Sequence, residues 1–317
     1  MIKRISKRVV YHGLLFGAVF LIVLGLFVVW HLLFPQPETV VGPIDAPAPI
    51  LRIGASHQFL ANLIQEIGGS YVTTVVLPPP AQIDETPLTL CDKSSVFFGL
   101  NTQLDGWIQE ICGSRDSTPI KVFLDSYIGT SIDQDSPQAP STQAPPVIMG
   151  ADKGYYWLST QGGKDLARAI AKILSEADPV HKVEYLNNAY AVAYQLDNVY
   201  GSVKDPMSNL RVAPVITWGD GWQEVITEYN GYIVQTIDPI QSAQEKIASI
   251  ASIADYLKKH KRAIVVGDLS LPFDDIKKLY PDSARRIVVL DPTGDFSDIW
   301  PYKAYVQQNL LRITQAL

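Results

Sequence analysis

Residues 178–205, DPVHKVEYLNNAYAVAYQLDNVYGSVKD, predict one helix of about 25 residues. Asp178 and Pro179 are typical of a helix start, because proline at the first helical position lacks an N–H that would have no partner there. Asp205-Pro206 predicts the helix end, because proline disfavours helical backbone in the residue before it. The apolar residues with the spacing of one helix face are Val183, Leu186, Ala189, Ala193, Leu196, Val199, Tyr200 and Val203.

Segments on both sides of this helix alternate between apolar, β-branched runs and amphipathic helical patterns. Such alternation predicts an α/β fold in which helices cover the faces of parallel sheets. We therefore predict two Rossmann-like lobes joined by the helix. The predicted divisions are an N-terminal lobe at 51–177, the connecting helix at 178–205 and a C-terminal lobe at 206–317.

The composition is that of a folded protein. The chain has 317 residues, of which 47% are hydrophobic and 18% are charged. This length accommodates one large or two medium-sized domains. The net charge of −6 argues against nucleic acid as a partner, because nucleic-acid-binding domains carry an excess of basic residues.

The N-terminus combines basic residues with a long apolar run, GLLFGAVFLIVLGLFVVWHLLF, at 13–34. About 20 apolar residues span a bilayer, and flanking basic residues stay in the cytoplasm. We predict a cytoplasmic stub and transmembrane anchor at 1–34, a proline-rich linker at 35–50 and an extracytoplasmic C-terminal domain, hence a single-pass protein of the cell membrane. A cleaved signal peptide is the alternative, although its apolar core is usually shorter. The basic residues are Lys3, Arg4, Lys7 and Arg8.

The chain contains two cysteines, Cys91 and Cys112. They do not form a C-x-x-C motif, so the sequence encodes neither a zinc knuckle nor a redox pair. In the oxidising compartment that the topology predicts, they are expected to form a disulfide. Two buried free thiols are the alternative.

Five segments of the chain carry a resemblance to a known family. They are GASHQFLANLIQEIGGSYVTTVVLPPPAQ (54–82), SSVFFGLNTQLDGWIQEI (94–111), the stretch from GYYWL to QLD (154–197), VITWGDGWQEVITEYNG (215–231) and VVLDPTG (288–294). In order and spacing they resemble the zinc and manganese solute-binding proteins of ABC importers, and the resemblance covers nearly all of residues 51–317. It implies two lobes, a rigid connecting helix and a cleft that presents a ligand to an ABC permease with its ATPase, in a monomeric receptor.

The resemblance also implies a metal site built from three histidines and one carboxylate. Aligned without gaps, the first histidine position falls on Asp84, with Glu85 after it, whereas a shift by one residue would place it on Ile83. The second position falls on Tyr155. The third falls on Gly219, which has no side chain. The fourth position keeps its acid, Asp291, in a Leu-Asp-Pro sequence. Three of the four inherited ligand positions have therefore changed.

Two further residues are candidate metal ligands. His57 follows the first predicted strand, and Asp220 stands next to Gly219. The alternative for His57 is that it caps or packs the first helix, and the alternative for Asp220 is that it caps a helix starting at Gly221. Zinc prefers nitrogen and sulfur donors, whereas carboxylates suit harder ions such as manganese or calcium. The prediction is a divalent ion at an altered site, or no metal at all.

Aromatic residues concentrate at the same segments and suggest a second function. Trp157, Trp218 and Trp222 are predicted cleft aromatics, which would favour a small organic ligand. The alternative function is a pseudo-receptor that has lost metal binding and binds a protein partner or an organic molecule. Core packing is the competing interpretation of these rings. No G-x-S-x-G, P-loop or H-E-x-x-H motif is present, and we predict that the protein is not an enzyme.

Overall fold

The computed structural model describes one compact part of the chain, which lies within Pro49–Leu317. The described residues are 50–77, 91, 93–113, 120–127, 154–294 and 301–317. The predicted anchor, the linker up to residue 49 and Asp84 lie outside them. None of the described helices is both long and apolar enough to cross a membrane.

The first lobe contains a four-stranded parallel sheet with strand order β2-β1-β3-β4. Helix α1 follows β1 and buries the apolar stripe that the sequence predicts, from Phe59 to Ile67. The helix ends at Gly68, and Gly69 takes a positive φ of 57°, which glycine adopts without strain. The elements are β1 (Leu51–Ala55), α1 (Gln58–Gly68), β2 (Val72–Val76), β3 (Val96–Gly99), α2 (Thr102–Asp105), α3 (Trp107–Cys112) and β4 (Ile120–Phe123).

Two long helices follow, α4 (Thr160–Ala177) and α5 (Lys182–Met207), and they pack against each other. Helix α5 confirms the predicted connecting helix, with a 3-10 turn at Pro179–His181 before it. The predicted end at Asp205-Pro206 was wrong, because Pro206 lies inside the last turn. A proline at this position removes one backbone hydrogen bond of the helix. The helix nevertheless continues past it, and Met207 in its last turn is completely buried.

The second lobe repeats the architecture of the first. Its four-stranded sheet is also entirely parallel, with strand order β6-β5-β7-β8, so the second sheet has the same strand order as the first. The elements are β5 (Pro214–Trp218), α6 (Gln223–Thr227), β6 (Tyr232–Ile237), α7 (Ala243–Lys259), β7 (Ile264–Gly267), α8 (Phe273–Leu279), β8 (Ile287–Val289) and α9 (Tyr302–Thr314). The predicted α/β fold with two parallel sheets is therefore confirmed.

One apolar core runs through both lobes and around α5, and α9 packs against α1 and α5. Each lobe also has an outer core on the other face of its sheet. The outer core of the first lobe contains the disulfide between Cys91 and Cys112, whose Cα atoms are 5.6 Å apart, so the predicted pairing is confirmed. That of the second lobe is built around Trp218.

Candidate functional site

In open α/β sheets, ligands bind beyond the carboxyl ends of the strands, where the connections from two neighbouring strands run to opposite sides of the sheet. Predicted site residues follow the carboxyl ends of strands in both sheets. In the first lobe, Ser56 and His57 follow β1, and the segment Leu100–Asp105 follows β3. In the second lobe, Gly219 and Asp220 follow β5, and Asp291 follows β8 after one residue. Four of the five predicted metal ligands, Tyr155 included, are among the described residues.

Asp291 is held rigidly in the interior, with 4% of its surface exposed. Its N–H donates to Asn309 Oδ1 at 2.8 Å, and its carbonyl accepts the hydroxyl of Tyr305 at 2.8 Å. Its carboxylate Oδ1 accepts the N–H of Gly294 at 2.8 Å, which closes a tight turn. Gly294 has a φ of 81°, a backbone conformation that favours glycine. The acid that the resemblance retains therefore has a fixed position.

Tyr155 lies where a segment of the first lobe meets the second lobe. Its N–H donates to the carbonyl of Gly221 at 2.7 Å, and its ring lies 4.5 Å from that of Trp222. The preceding Gly154 has a φ of 55°, and a Cβ there would lie 2.0 Å from the Cα of Gly221. Two glycines thus allow the backbones to touch, and the phenol that replaces the inherited histidine lies beside this contact.

The three predicted cleft aromatics are buried in the protein, so the prediction that they line an open cleft was wrong. Trp157, Trp218 and Trp222 are at most 1% exposed. Their indole N–H groups donate to the carbonyl of Pro292 at 2.7 Å, to Ser270 Oγ at 3.1 Å and to the carbonyl of Trp218 at 3.0 Å, respectively. Large rings whose single N–H finds a partner inside the protein are stable in a core.

Gly219 and Asp220 form an open turn after β5. Gly219 has a φ of 87°, and its N–H donates to the carbonyl of Ile237 at 2.8 Å. Asp220 is exposed, and α6 begins only at Gln223 with Trp222 at the cap position. The alternative that Asp220 caps this helix was therefore wrong, and its role as a metal ligand stays a prediction.

His57 belongs to a hydrogen-bonded group with Ser56 and Asp105, two residues that the sequence did not single out. Ser56 Oγ lies 2.8 Å from His57 Nδ1 and donates to Asp105 Oδ2 at 2.9 Å. Asp105 Oδ1 lies 3.7 Å from the same nitrogen of His57. Burial raises the pKa of Asp105, while the neighbouring His57 acts to lower it. His57 occupies the cap position of α1 without a side-chain cap bond, and its ring lies 5.7 Å from that of Phe59 on the same helix. The alternative that His57 packs against the first helix therefore stays open, as does its role as a metal ligand.

Across residues 50–77, 91, 93–113, 120–127, 154–294 and 301–317, no three or more His, Cys, Asp and Glu side chains are grouped as a metal site requires. Asp84 and Glu85 fall in the gap after Leu77.

A family model described as ZnuA, zinc-uptake complex component A, periplasmic, matches residues 53–316. Among curated proteins, the high-affinity zinc uptake system protein ZnuA of Brucella abortus is 28% identical over 151 residues. That alignment spans 46% of this chain and 45% of the relative, so about half of the relative's length is matched.

Solved structures share the fold. The crystal structure of ZnuA has a TM-score of 0.61 at 21% identity and covers 84% of this chain and 99% of its own. The laminin-binding protein Lbp of Streptococcus pyogenes has a TM-score of 0.63 at 14% identity and covers 85% of this chain and 99% of its own. At these identities the likeness shows the two-lobed fold alone.

Proposed function

The chain belongs to the family of periplasmic zinc-uptake components, and we propose from this membership that it is the extracytoplasmic receptor of an ABC metal importer. Receptors of this family take part in transport and are not enzymes, in agreement with the prediction from the sequence. The proposed activity is to bind a divalent cation between the lobes and deliver it to a permease driven by an ATPase.

One observation supports this proposal most directly. Asp291, the inherited acid, is buried and held by hydrogen bonds just after strand β8, within the residues that the family model matches. A carboxylate in a fixed position is a useful metal ligand, because little ordering entropy remains to be lost when the ion binds. The proposed further ligands are Asp84, Tyr155, His57 and Asp220. This oxygen-rich set suits manganese or calcium better than zinc.

A second candidate function follows from the altered positions. Gly219 offers no side-chain ligand atom, and the ring of Tyr155 packs against Trp222. Since the described side chains form no metal site by themselves, the alternative is a pseudo-receptor that keeps the fold and binds a protein partner or a small organic ligand. The burial of the three tryptophans removes the argument for an aromatic-lined organic site and leaves a protein partner as the stronger form of this alternative.

Calorimetric titration separates the two functions. The full-length chain, purified in detergent, is titrated with Zn²⁺, Mn²⁺ and Ca²⁺ in separate experiments. A receptor gives micromolar or tighter binding that Asp291→Ala abolishes. The matched control is Asp238→Ala, because Asp238 also follows a strand of this sheet and accepts a backbone N–H, but β6 is the strand farthest from β8. No heat with any ion supports the pseudo-receptor.

The membrane arrangement is a separate part of the proposal. We propose that residues 13–34 anchor the protein as a single-pass helix, that 35–50 form a spacer, and that the lobes at 51–177 and 206–317 lie outside the cytoplasm. The apolar run and the basic residues before it support this arrangement. An anchored protein stays in the membrane fraction after an alkaline wash at its full 35.0 kDa mass. A shortened, soluble product instead indicates a cleaved signal peptide.

A further inference from the structure

Basic residues concentrate at the amino-terminal edge of the second sheet. Residues 258–262 form the end of α7 and the turn before β7, and residues 277–286 lead from α8 into β8. Strands β7 and β8 are parallel neighbours, so both segments lie at the same edge. Asp220 and Asp291 follow the opposite ends of the strands, so this surface is separate from the candidate ligand site. We call residues 258–262 and 277–286 the basic edge.

Tyr280 joins the two segments of the basic edge. Its hydroxyl accepts Nζ of Lys261 at 3.0 Å, and the guanidinium carbon of Arg286 lies 5.4 Å from the centre of its ring. Arg286 also donates to the carbonyls of Leu257 and His260, at 3.0 Å each. These carbonyls lie at the C-terminal end of α7, where a cation satisfies the last acceptors of the helix and offsets its dipole.

The positive charge of the basic edge is local. Its two segments hold eight Lys and Arg residues and one acid, Asp282, in a chain whose net charge is −6. Two acids just outside the edge, Asp255 and Asp275, form ion pairs with Lys258 and Lys278 at 3.3 and 2.8 Å. The pairs neutralise only part of the charge. The eight basic residues are Lys258, Lys259, Lys261, Arg262, Lys277, Lys278, Arg285 and Arg286.

Three cations of the basic edge remain after these contacts are assigned. Lys259, Arg262 and Arg285 are exposed, and none of them forms a side-chain hydrogen bond or ion pair within the part of the chain that the structure describes. The dipole of α7 accounts for cations in its last turn, but Arg262 and Arg285 lie beyond that helix. A surplus of exposed cations on an otherwise acidic protein indicates a surface for an anionic partner.

Leu279 adds an apolar side chain to this charged surface. It is the last residue of α8, it is 50% exposed, and it directly follows Lys277 and Lys278. Anionic lipid headgroups attract the cations, and an apolar side chain beside them gains free energy when it enters the headgroup layer. A membrane surface therefore fits both features, whereas the backbone of a nucleic acid fits the charge alone.

The proposed anchor brings a bilayer within reach of the basic edge. Residues 35–50 connect the apolar run to β1 and span at most about 55 Å when fully extended. A folded unit of the size of Pro49–Leu317 has a radius of gyration of roughly 18 Å, so a tether of this length allows any of its faces to approach the membrane. A tethered surface needs only a weak attraction to dock, because its effective concentration at the membrane is high.

We propose that the basic edge docks the second lobe onto anionic phospholipid headgroups of the membrane that holds the anchor, with Leu279 entering the headgroup layer. The inference rests on the proposed membrane arrangement and is independent of metal binding, so it applies to a receptor and to a pseudo-receptor alike. Docking by this edge leaves the opposite edge of the sheet, with Asp220 and Asp291, facing away from the headgroups.

A single fluorescent label tests the docking. The two native cysteines form a disulfide, so Leu279→Cys introduces the one free thiol of the full chain. This thiol is labelled with NBD, a dye whose emission shifts to the blue in an apolar environment. The labelled protein is reconstituted into vesicles of phosphatidylcholine alone or of an equal mixture of phosphatidylcholine and phosphatidylglycerol. A blue shift is expected only in the anionic vesicles, and it should vanish at about 1 M salt, where the screening length falls to about 3 Å.

The control for the label is a second exposed leucine of the same lobe. Leu269 is 59% exposed and follows β7, at the carboxyl edge of the sheet. The label in Leu269→Cys is expected to show no shift in either kind of vesicle.

Charge reversal tests the cations of the basic edge. In the labelled Leu279→Cys protein, Lys259→Glu with Arg262→Glu is expected to lower the docking equilibrium constant at least about 25-fold, since each basic residue near an anionic surface contributes about fivefold. The matched control is Lys172→Glu with Lys182→Glu, because these exposed lysines of α4 and α5 give the same change in net charge outside the basic edge. The control pair is expected to leave the shift nearly unchanged.

The outcomes decide between a membrane and another partner. A shift at Leu279→Cys in anionic vesicles alone, lost in the Lys259→Glu/Arg262→Glu variant, supports the inference. The absence of a shift overturns it and leaves an acidic protein as the partner of the surface. Equal shifts at Leu279→Cys and Leu269→Cys also overturn it, because the contact then does not depend on the basic edge.

The test does not depend on the other proposals. None of these outcomes changes the result of the metal titration. If the alkaline wash shows a cleaved, soluble protein, the labelled soluble protein is mixed with the same vesicles, and the same shifts support or overturn docking by the basic edge.

Discussion

The outer cores of the two lobes differ, although the two sheets have the same strand order. In the second lobe, Trp218 lies among apolar residues from β5, β7, α7 and α8. In the first lobe, the described outer core is smaller, and at its centre Cys91 and Cys112 form a disulfide against Phe97 and Ile108. A sheet face can thus be stabilised by buried apolar area or, where little area is available, by a covalent link. Substitutions in the two outer cores test this difference.

The largest expected effect is that of Trp218→Ala. Trp218 is 1% exposed, and its N–H donates to Ser270. Removing a buried tryptophan ring leaves a cavity and typically costs about 3 to 5 kcal/mol. Urea unfolding followed by circular dichroism measures the loss. The matched variant is Trp107→Ala, because Trp107 is only partly buried against the outer core of the first lobe, and its loss should cost less. Equal costs would contradict the difference between the lobes.

The next largest effect is expected from the first lobe. Replacing Cys91 and Cys112 together by serine opens a link across 21 residues and is expected to lower the free energy of unfolding by about 3 kcal/mol. The loss arises mainly because the unfolded chain gains conformational freedom. Urea unfolding with and without a reducing agent provides the measurement. The reductant should destabilise the parent protein and leave the double variant unchanged; an equal response of both would show that the link contributes nothing.

The sequence predicted the elements of both lobes because their signals are local. Strands and helices follow from apolar periodicity and β-branched runs, and the cysteine pairing follows from the compartment that the N-terminus predicts. The end of the connecting helix was missed, since the burial of Met207 outweighs the local effect of Pro206. The local sequence pattern therefore determines where a helix or strand forms and ends, unless packing against distant residues favours a different boundary.

The site was less predictable because it depends on contacts between distant residues. Ser56 and Asp105 are 49 residues apart and meet only because β1 and β3 are neighbours in the sheet. Likewise, an aromatic residue near a ligand segment can face the cleft or the core, and only the folded chain places Trp157 and Trp222 in the core. Sequence pattern can identify Asp291 by its motif, but it cannot show which side chains surround it.

A smaller effect is expected where the lobes meet. Glu228, from the second lobe, accepts the N–H groups of Thr160 and Gln161 at 3.0 and 2.9 Å and so caps the N-terminus of α4. A carboxylate at this end of a helix is also favoured by the helix dipole. Glu228→Ala is expected to lower the free energy of unfolding by about 1 to 2 kcal/mol, as measured by thermal or urea unfolding.

The control for Glu228 is a cap within one lobe. Glu245 forms a capping box with Ser242 at the start of α7 and is exposed to solvent. Glu245→Ala is expected to cost less than Glu228→Ala, because water replaces its hydrogen bonds more easily. If Glu245→Ala lowers the free energy of unfolding as much as Glu228→Ala does, the contact of Glu228 between the lobes stabilises the fold no more than an exposed helix cap.

The smallest effect concerns the start of α5 and depends on pH. The carboxylate of Asp178 accepts His181 Nδ1 at 2.6 Å and the hydroxyl of Tyr185 at 2.7 Å, and Tyr71 of the first lobe stacks on His181 at 3.7 Å. Burial acts to raise the pKa of Asp178, but the hydrogen bonds from His181 and Tyr185 outweigh it and lower the pKa. A carboxyl group with a lowered pKa stabilises the folded state above its unfolded pKa of about 3.9, and this stabilisation is lost as the pH falls through the folded value.

Asp178→Asn is therefore expected to be less stable than the parent protein at pH 6, and the difference should shrink as the pH falls below about 4. Solvent screening keeps the difference below about 1 kcal/mol. The second lobe has a matched contact with α5, in which Tyr200 stacks on Tyr229 at 5.5 Å. Tyr200→Leu should therefore give a stability loss that is independent of pH between 3 and 6. Thermal unfolding across this range checks both variants, and a pH-independent loss in Asp178→Asn would show that the charge of Asp178 does not stabilise the fold.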